Sequence, residues 1–220
     1  MRFLLSFFLI FTLDAAEFKS YEAEFNFETK FGNFPLKRSF DVGDNKINTK
    51  VKMEVLWFKY SLDSNFRIEN NQIVSIDTNV SDPFREKPKK FKLSFSKNNI
   101  KSQELGDLEF SGLILEQLSS DVQVRLNAKH GVKSYQLNIF DNTKGRIVSK
   151  NYQQLNKEKI STSFGDVETI VVLAESEDVG PIKYYIAPSL DYMIIKSTAT
   201  LKNSEERILI ISEKPKFLEE

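Results

Sequence analysis

Cysteine is absent from this chain, and histidine and tryptophan occur once each in 220 residues. Without cysteine there is no disulfide, no thiol nucleophile, no iron–sulfur cluster and no zinc–thiolate site. A lone histidine, His130, does not make an ordinary metal site, which draws on several His or Cys ligands. It also needs a nucleophile on a strained turn to form a Ser-His-Asp relay, and no G-x-S-x-G occurs. Glycine is sparse, with eight residues. Gly112 and Gly165 stand alone, so no phosphate-cradling loop is present. Neither sign of charge dominates, with 31 basic and 31 acidic residues. The balance gives no global field towards nucleic acid or an anionic membrane. No cofactor is expected.

Long apolar runs are also rare, and the one present is at the start. Arg2 is followed by the apolar stretch 3–13, then by the small residues Ala15 and Ala16. That pattern predicts a secretory signal peptide over residues 1–16, cut after Ala15 or Ala16. The run is too short to span a bilayer as a helix. No cysteine follows it to carry a lipid, so the product is not a lipoprotein. The expectation is a periplasmic location and one mainly-β domain over 17–220, with no transmembrane segment after cleavage.

What is abundant is phenylalanine, with 19 residues. Phe and Tyr favour strands and supply apolar area. Period-two alternation runs through the first half. Tyr21, Ala23, Phe25 and Phe27 share one face of a strand, with Glu22, Glu24 and Glu28 on the other. Ile47, Thr49, Val51 and Met53 repeat the pattern. Phe66, Ile68, Ile73 and Ile76 flank Asn70-Asn71, a pair suited to a tight turn with positive φ. Leu115, Leu118, Val122 and Leu126 then follow helical spacing. Ser111 is a fair N-cap, so a helix is predicted over residues 112–127. Strands resume at Tyr135 and continue to Ser212, with turns at residues 141–145 and 188–191. The fold class expected is mainly β: a long curved antiparallel sheet, or a partly closed β-barrel, with one substantial α-helix against or inside it.

Candidate functional residues are few. His130 is placed just past the helix end, where a cation suits the carbonyl terminus. Glu22, Glu24 and Glu28 read as the wet face of a strand rather than a catalytic pair. The loop at 81–90 carries Lys87, Lys89 and Lys90. It reads either as a solvated guard of the adjacent strand or as a contact for anionic lipid, lipopolysaccharide or peptidoglycan. Trp57, Phe58 and Tyr60 cannot all face one way on a regular strand. With Leu115, Leu118 and Val122 they form a candidate site for a lipid or other apolar ligand. The plain alternative is a strand buried on both sides.

Several segments resemble the bacterial periplasmic family known as domain of unknown function 3108. Tyr21-Glu22-Ala23-Glu24-Phe25 resembles its first strand, and Phe110-Ser111-Gly112-Leu113-Ile114-Leu115-Glu116-Gln117-Leu118 its helix start. Thr162-Ser163-Phe164-Gly165-Asp166-Val167-Glu168-Thr169 resembles its turn–glycine–strand segment. Tyr184-Tyr185-Ile186-Ala187-Pro188 and Tyr192-Met193-Ile194-Ile195-Lys196 resemble its last hairpin, although the family usually has Trp at the place of Tyr185 and Pro at that of Met193. The resemblance implies a periplasmic protein with a long curved sheet and no assigned reaction. The leading expectation is therefore a non-enzymatic periplasmic protein that binds an apolar ligand such as a lipid, or an envelope protein. An assembly factor acting through a sheet edge or the basic loop is the alternative, and a carboxylate-dependent hydrolase the third.

Overall fold

The computed structural model describes residues 17–55, 58–177, 180–201 and 205–218. The expected signal peptide and Trp57 lie outside the described residues. Strands β1 (Tyr21–Thr29), β2 (Gly32–Val42), β3 (Ile47–Val55), β4 (Phe58–Glu69), β5 (Gln72–Ser81) and β6 (Lys90–Ser96) form a meander. Short strands β7 (Asn99–Lys101) and β8 (Leu108–Glu109) extend it, and β9 (Ile114–Leu115) leads into helix α1 (Gln117–Lys129). A second meander comprises β10 (Ser134–Asp141), β11 (Arg146–Thr162), β12 (Gly165–Glu175), β13 (Ile182–Ala187), β14 (Met193–Thr200) and β15 (Glu206–Ile211). The last strand is β16 (Lys216–Phe217).

Strand β15 pairs with β1, Phe25 opposite Ile211, and fuses the two meanders into one sheet. Its order is β8-β7-β6-β5-β4-β3-β2-β1-β15-β14-β13-β12-β11-β10-β9, with β16 on β1. Pairing is antiparallel except between β9 and β10, where Ile114 lies beside Asn138. The terminal strands β8 and β9 do not pair, so the sheet curves without closing. Helix α1 touches β4, β5, β10 and β14, which places it inside that curve. The expected fold class is therefore what the chain adopts. The Asn70-Asn71 turn has φ of 51° and 60°, the left-handed region that a tight hairpin requires.

The helix starts later than its periodicity predicts. Glu116, not Ser111, is the N-cap. Its carboxylate accepts hydrogen bonds from the N–H groups of Leu118 (2.9 Å) and Ser119, while the Ser119 hydroxyl accepts from the Glu116 N–H (2.9 Å). This reciprocal box closes the first turn. Upstream, Gly112 sits at φ 92°, and Ile114 and Leu115 pair with β10 instead of coiling. Backbone pairing to a neighbouring strand wins over the Ser–Gly cap signal.

Nearly the whole circumference of α1 is buried. Leu118, Val122 and Leu126 pack on one side, Val124 and Ala128 on another. Polar residues are buried too, and Ser119, Gln123 and Arg125 dock the helix to the sheet. Gln123 Oε1 accepts from the Ile73 N–H (2.7 Å), and its amide donates to the Asn71 carbonyl (3.3 Å), gripping the β4–β5 turn. The Ser119 and Ser75 hydroxyls share a hydrogen bond of 3.0 Å. A buried polar group without a partner costs roughly 1–3 kcal/mol, so these contacts fix the helix's rotation as well as its position.

Arg125 is the largest fully buried side chain. Its Nε donates to the Tyr192 carbonyl and its Nη2 to the Asp191 carbonyl, both at 3.1 Å. Asp191 and Tyr192 form the β13–β14 turn at φ of 53° and 55°. The Asp191 carboxylate lies 3.9 Å from the guanidinium and accepts from the Lys19 N–H at 2.8 Å. Phe18, Phe40 and Tyr21 face the guanidinium at 4.3, 4.8 and 5.4 Å. One residue thus ties α1 to the second meander and to the first strands. Arg125→Met leaves two turn carbonyls unbonded, and we expect a loss of about 3 kcal/mol. Arg125→Lys restores only part, because an ammonium lacks the planar fork. Urea unfolding checks this, and a midpoint at or above the parent value contradicts it.

Candidate functional site

In an antiparallel meander alternate turns lie at the same end of the sheet. The β1–β2 turn, the β5–β6 loop, the β10–β11 turn and the β14–β15 turn therefore share one end. A Lys30–Glu205 ion pair at 2.7 Å links the first and last of these. Arg85 in the β5–β6 loop reaches the β10–β11 turn, its Nε donating to the Asn142 carbonyl at 2.7 Å. These turns belong to opposite halves of the unclosed sheet, so Arg85 acts as a clasp across the gap.

The loop carrying Arg85 is itself well tied. The Asp82 N–H donates to the Lys89 carbonyl (2.8 Å), and the Phe84 N–H to the Asp82 carboxylate (2.9 Å). Arg85 Nη1 donates to the Pro88 carbonyl (2.8 Å), and Lys89 Nζ to the Pro83 carbonyl (2.9 Å). The Arg85 guanidinium stands 5.0 Å over the Phe91 ring. What the segment exposes is Glu86, Lys87, Lys89, Lys90 and the ring of Phe84, which is 64% exposed. Phe31, in the β1–β2 turn at the same end, is 78% exposed. Single exposed aromatics are unremarkable; two at one end of the sheet, one of them in a fixed basic loop, form a candidate contact surface. Of the three predicted lysines, Lys89 is occupied within the loop, while Lys87 and Lys90 face solvent.

The predicted apolar-ligand residues separate. Phe58 stacks on Phe84 with ring centroids 5.1 Å apart, so it supports the loop. Tyr60 is half-buried against the cluster that contains Leu118, and burial pushes its phenol up. Leu115, Leu118 and Val122 are packed core. Two hollows among the described residues lie outside the helix-lined interior. One, of ≈ 460 Å³, lies on β1–β3 and includes Glu22, Glu24, Lys37, Lys50 and Lys216. The other, of ≈ 580 Å³, is lined by Lys133, Gln153, Gln154, Leu155, Asn156 and Glu158. Sequence reasoning missed Phe84 and Phe31, for which the signal was an aromatic inside a turn.

The remaining polar candidates are in structural roles. His130 is the helix C-cap, its N–H donating to the Leu126 carbonyl at 3.0 Å. Glu17 accepts from Lys129 at 2.9 Å, and that hydrogen bond holds its carboxyl below the usual range. Two interior carboxyls, Glu116 and Asp121, are both pushed up by burial. The Glu116 oxygens are taken by the helix N-terminus, and Asp121 accepts from Arg38 Nη1 at 3.3 Å. Among the described residues no group of three or more His, Cys, Asp or Glu is placed to hold a metal. No helix there is long and apolar enough to cross a membrane.

These features define a β-barrel-like protein with an interior helix, and comparison with known structures agrees. The chain is similar to a β-barrel-like protein of domain of unknown function DUF1849 from Brucella abortus, with TM-score 0.60 and 11% identity. The match covers 92% of this chain and 99% of that one. A DUF1089 family protein from Pseudomonas aeruginosa aligns with TM-score 0.43 and 11% identity, over 88% of this chain and 95% of its own. No family model matches the sequence, and no curated protein matches it.

Glu116 offers a test of its burial. Its folded pKa lies above the ordinary 4.5, so ionising it costs more in the fold than in the unfolded chain. Its contribution to stability therefore falls as pH rises from about 4.5 towards the folded value. Glu116→Gln keeps an acceptor for the cap and removes the titration. Urea unfolding should show the variant gaining on the parent between pH 3.5 and pH 7. A gap that stays constant or moves the other way refutes the assignment.

Proposed function

We propose that this is an exported, non-catalytic protein of the periplasm that acts through its surface on an anionic, phosphate-bearing envelope component. The observation that carries this is the tied β5–β6 loop, which exposes Phe84, Lys87 and Lys90 at the end of the sheet that also exposes Phe31. An aromatic ring beside amines suits a headgroup layer, where the ring enters the apolar boundary and the amines meet phosphate. Export is supported by Arg2, the apolar run 3–13 and the small residues after it. The same motifs that resemble domain of unknown function 3108 support membership of that family. Barrel-like folds often hold apolar ligands inside. Here the volume that such a ligand would take is used by α1, and the predicted lining residues Leu115, Leu118 and Val122 serve packing.

Co-sedimentation with vesicles tests the reading. Binding to vesicles containing phosphatidylglycerol should exceed binding to phosphatidylcholine alone, and should weaken as salt is raised. The double variant Lys87→Glu with Lys90→Glu should reduce it at least fivefold while leaving the unfolding midpoint in place. Equal binding to both vesicle types, or a double variant that binds as well as the parent, contradicts the proposal.

A further inference from the structure

Strand β11 is longer than the strand that covers it. Of its 17 residues, 151–162 pair with β12 on one side, with a bulge between Gln154 and Lys157. On the other side β10 pairs only as far as Ser134 opposite Gln153, and the last bond is Gln154 N–H to the Lys133 carbonyl at 2.8 Å. Among the described residues, 155–162 continue past that point with no further strand beside them. The ≈ 580 Å³ hollow lined by Lys133, Gln153, Gln154, Leu155, Asn156 and Glu158 lies where β10 leaves off.

The backbone polarity of this edge follows from one contact. The Thr169 hydroxyl donates to the Glu158 carbonyl at 2.7 Å, so that carbonyl faces β12. Alternation in an antiparallel ladder then turns the N–H and C=O groups of Lys157, Lys159 and Ser161 away from β12. All three residues are exposed. Unpaired groups in a row are a template for another strand.

The side chains narrow what that strand is. Lys159 lies opposite Glu168 and Ser161 opposite Asp166 on the outer face, and Lys157 Nζ reaches Glu168 at 2.8 Å. On the inner face Ile160 is buried. A second copy of this chain would dock about a two-fold axis perpendicular to the sheet, which keeps every side chain on its own face. With the axis at Glu158, Lys157 would meet Lys159 and Glu158 would meet itself; with the axis at Lys159, that lysine would meet its own copy. Like charges directly opposite destabilise a pair, so the edge rejects its own copy. An incoming strand with acids beside Lys157 and Lys159 completes an acid–lysine–acid row, and apolar residues on its other face join Ile160.

We infer that the free edge of β11, residues 155–162, is a strand-addition site for an extended segment of a different protein, acidic on one face and apolar on the other. This goes beyond the anionic contact at the β5–β6 loop and does not depend on it.

The test is amide-resolved hydrogen exchange and NMR titration of the intact protein. The probe is a short capped peptide of alternating glutamate and valine. In the free protein the amides of Lys157, Lys159 and Ser161 should exchange faster than those of Glu158, Ile160 and Thr162. Adding the peptide should slow the first three selectively. Lys159→Pro removes one outward N–H and should weaken binding roughly tenfold or more, equivalent to ~1.4 kcal/mol. If that variant does not fold, the same peptide N-methylated at its pairing amides should lose binding to the unaltered protein. A lysine–valine peptide should bind at least tenfold more weakly. The inference is overturned by outward amides as protected as their neighbours, by no binding of the glutamate–valine peptide, by protection on another strand, by equal binding of the lysine–valine peptide, or by dimerisation through β11.

Discussion

The fold depends on how one buried guanidinium is anchored. Arg125 stands in the middle of α1 and has water on no side. Its charge is tolerable there because two carbonyls of the β13–β14 turn accept its protons and three aromatic rings surround its face. Each ring contact of this desolvated kind can be worth up to about 2 kcal/mol, but the geometric consequence matters more. The turn must hold Asp191 and Tyr192 in the left-handed region for their carbonyls to point inward. Phe18 must lead into β1 at the right height, and Lys19 must reach the Asp191 carboxylate. The helix, the first strand and the second meander thus share a single point of reference.

An open sheet this long would be expected to flex at its ends. Two devices oppose that here. The parallel pairing of β9 with β10 brings the chain from one half back to the other just before α1 begins. Three residues further along, just past the end of β10, Arg85 spans the same gap to the Asn142 carbonyl. The basic loop that draws attention as a binding candidate is therefore also part of the architecture. Its lysines divide between the two tasks: Lys89 ties the loop, and Lys87 and Lys90 remain outside.

Much of the β architecture was legible from residue order. Alternation at Tyr21, Ala23 and Phe25 and at Ile47, Thr49 and Val51 marked strands with one buried face. The Asn70-Asn71 pair and Gly165 marked real hairpins. What stayed hidden depended on distant partners. Ser119, Gln123 and Arg125 look like a polar helix face, yet each is buried against residues 44 to 67 positions away. Nothing local signals that. The second half of β11 was also invisible, because Asn156, Lys157, Glu158 and Lys159 put polar residues on both faces and erase the alternation. The helix start was misread because Ser111-Gly112 imitates a cap, whereas Glu116 with Ser119 reverses the usual order of a capping box. Of the candidate site, the lysines could be read from composition; the exposed rings of Phe84 and Phe31 needed the turns to be placed.

The central claim is that α1 is permanent core and that the protein works from its surface. Native-state hydrogen exchange along α1 tests it most directly. If the account is right, the amides from Val122 to Leu126 open only with global unfolding, and their exchange free energy equals that from urea melts. If those amides instead exchange through a cheaper opening while the strands stay protected, the helix is a door, the interior is a cavity, and the account is wrong.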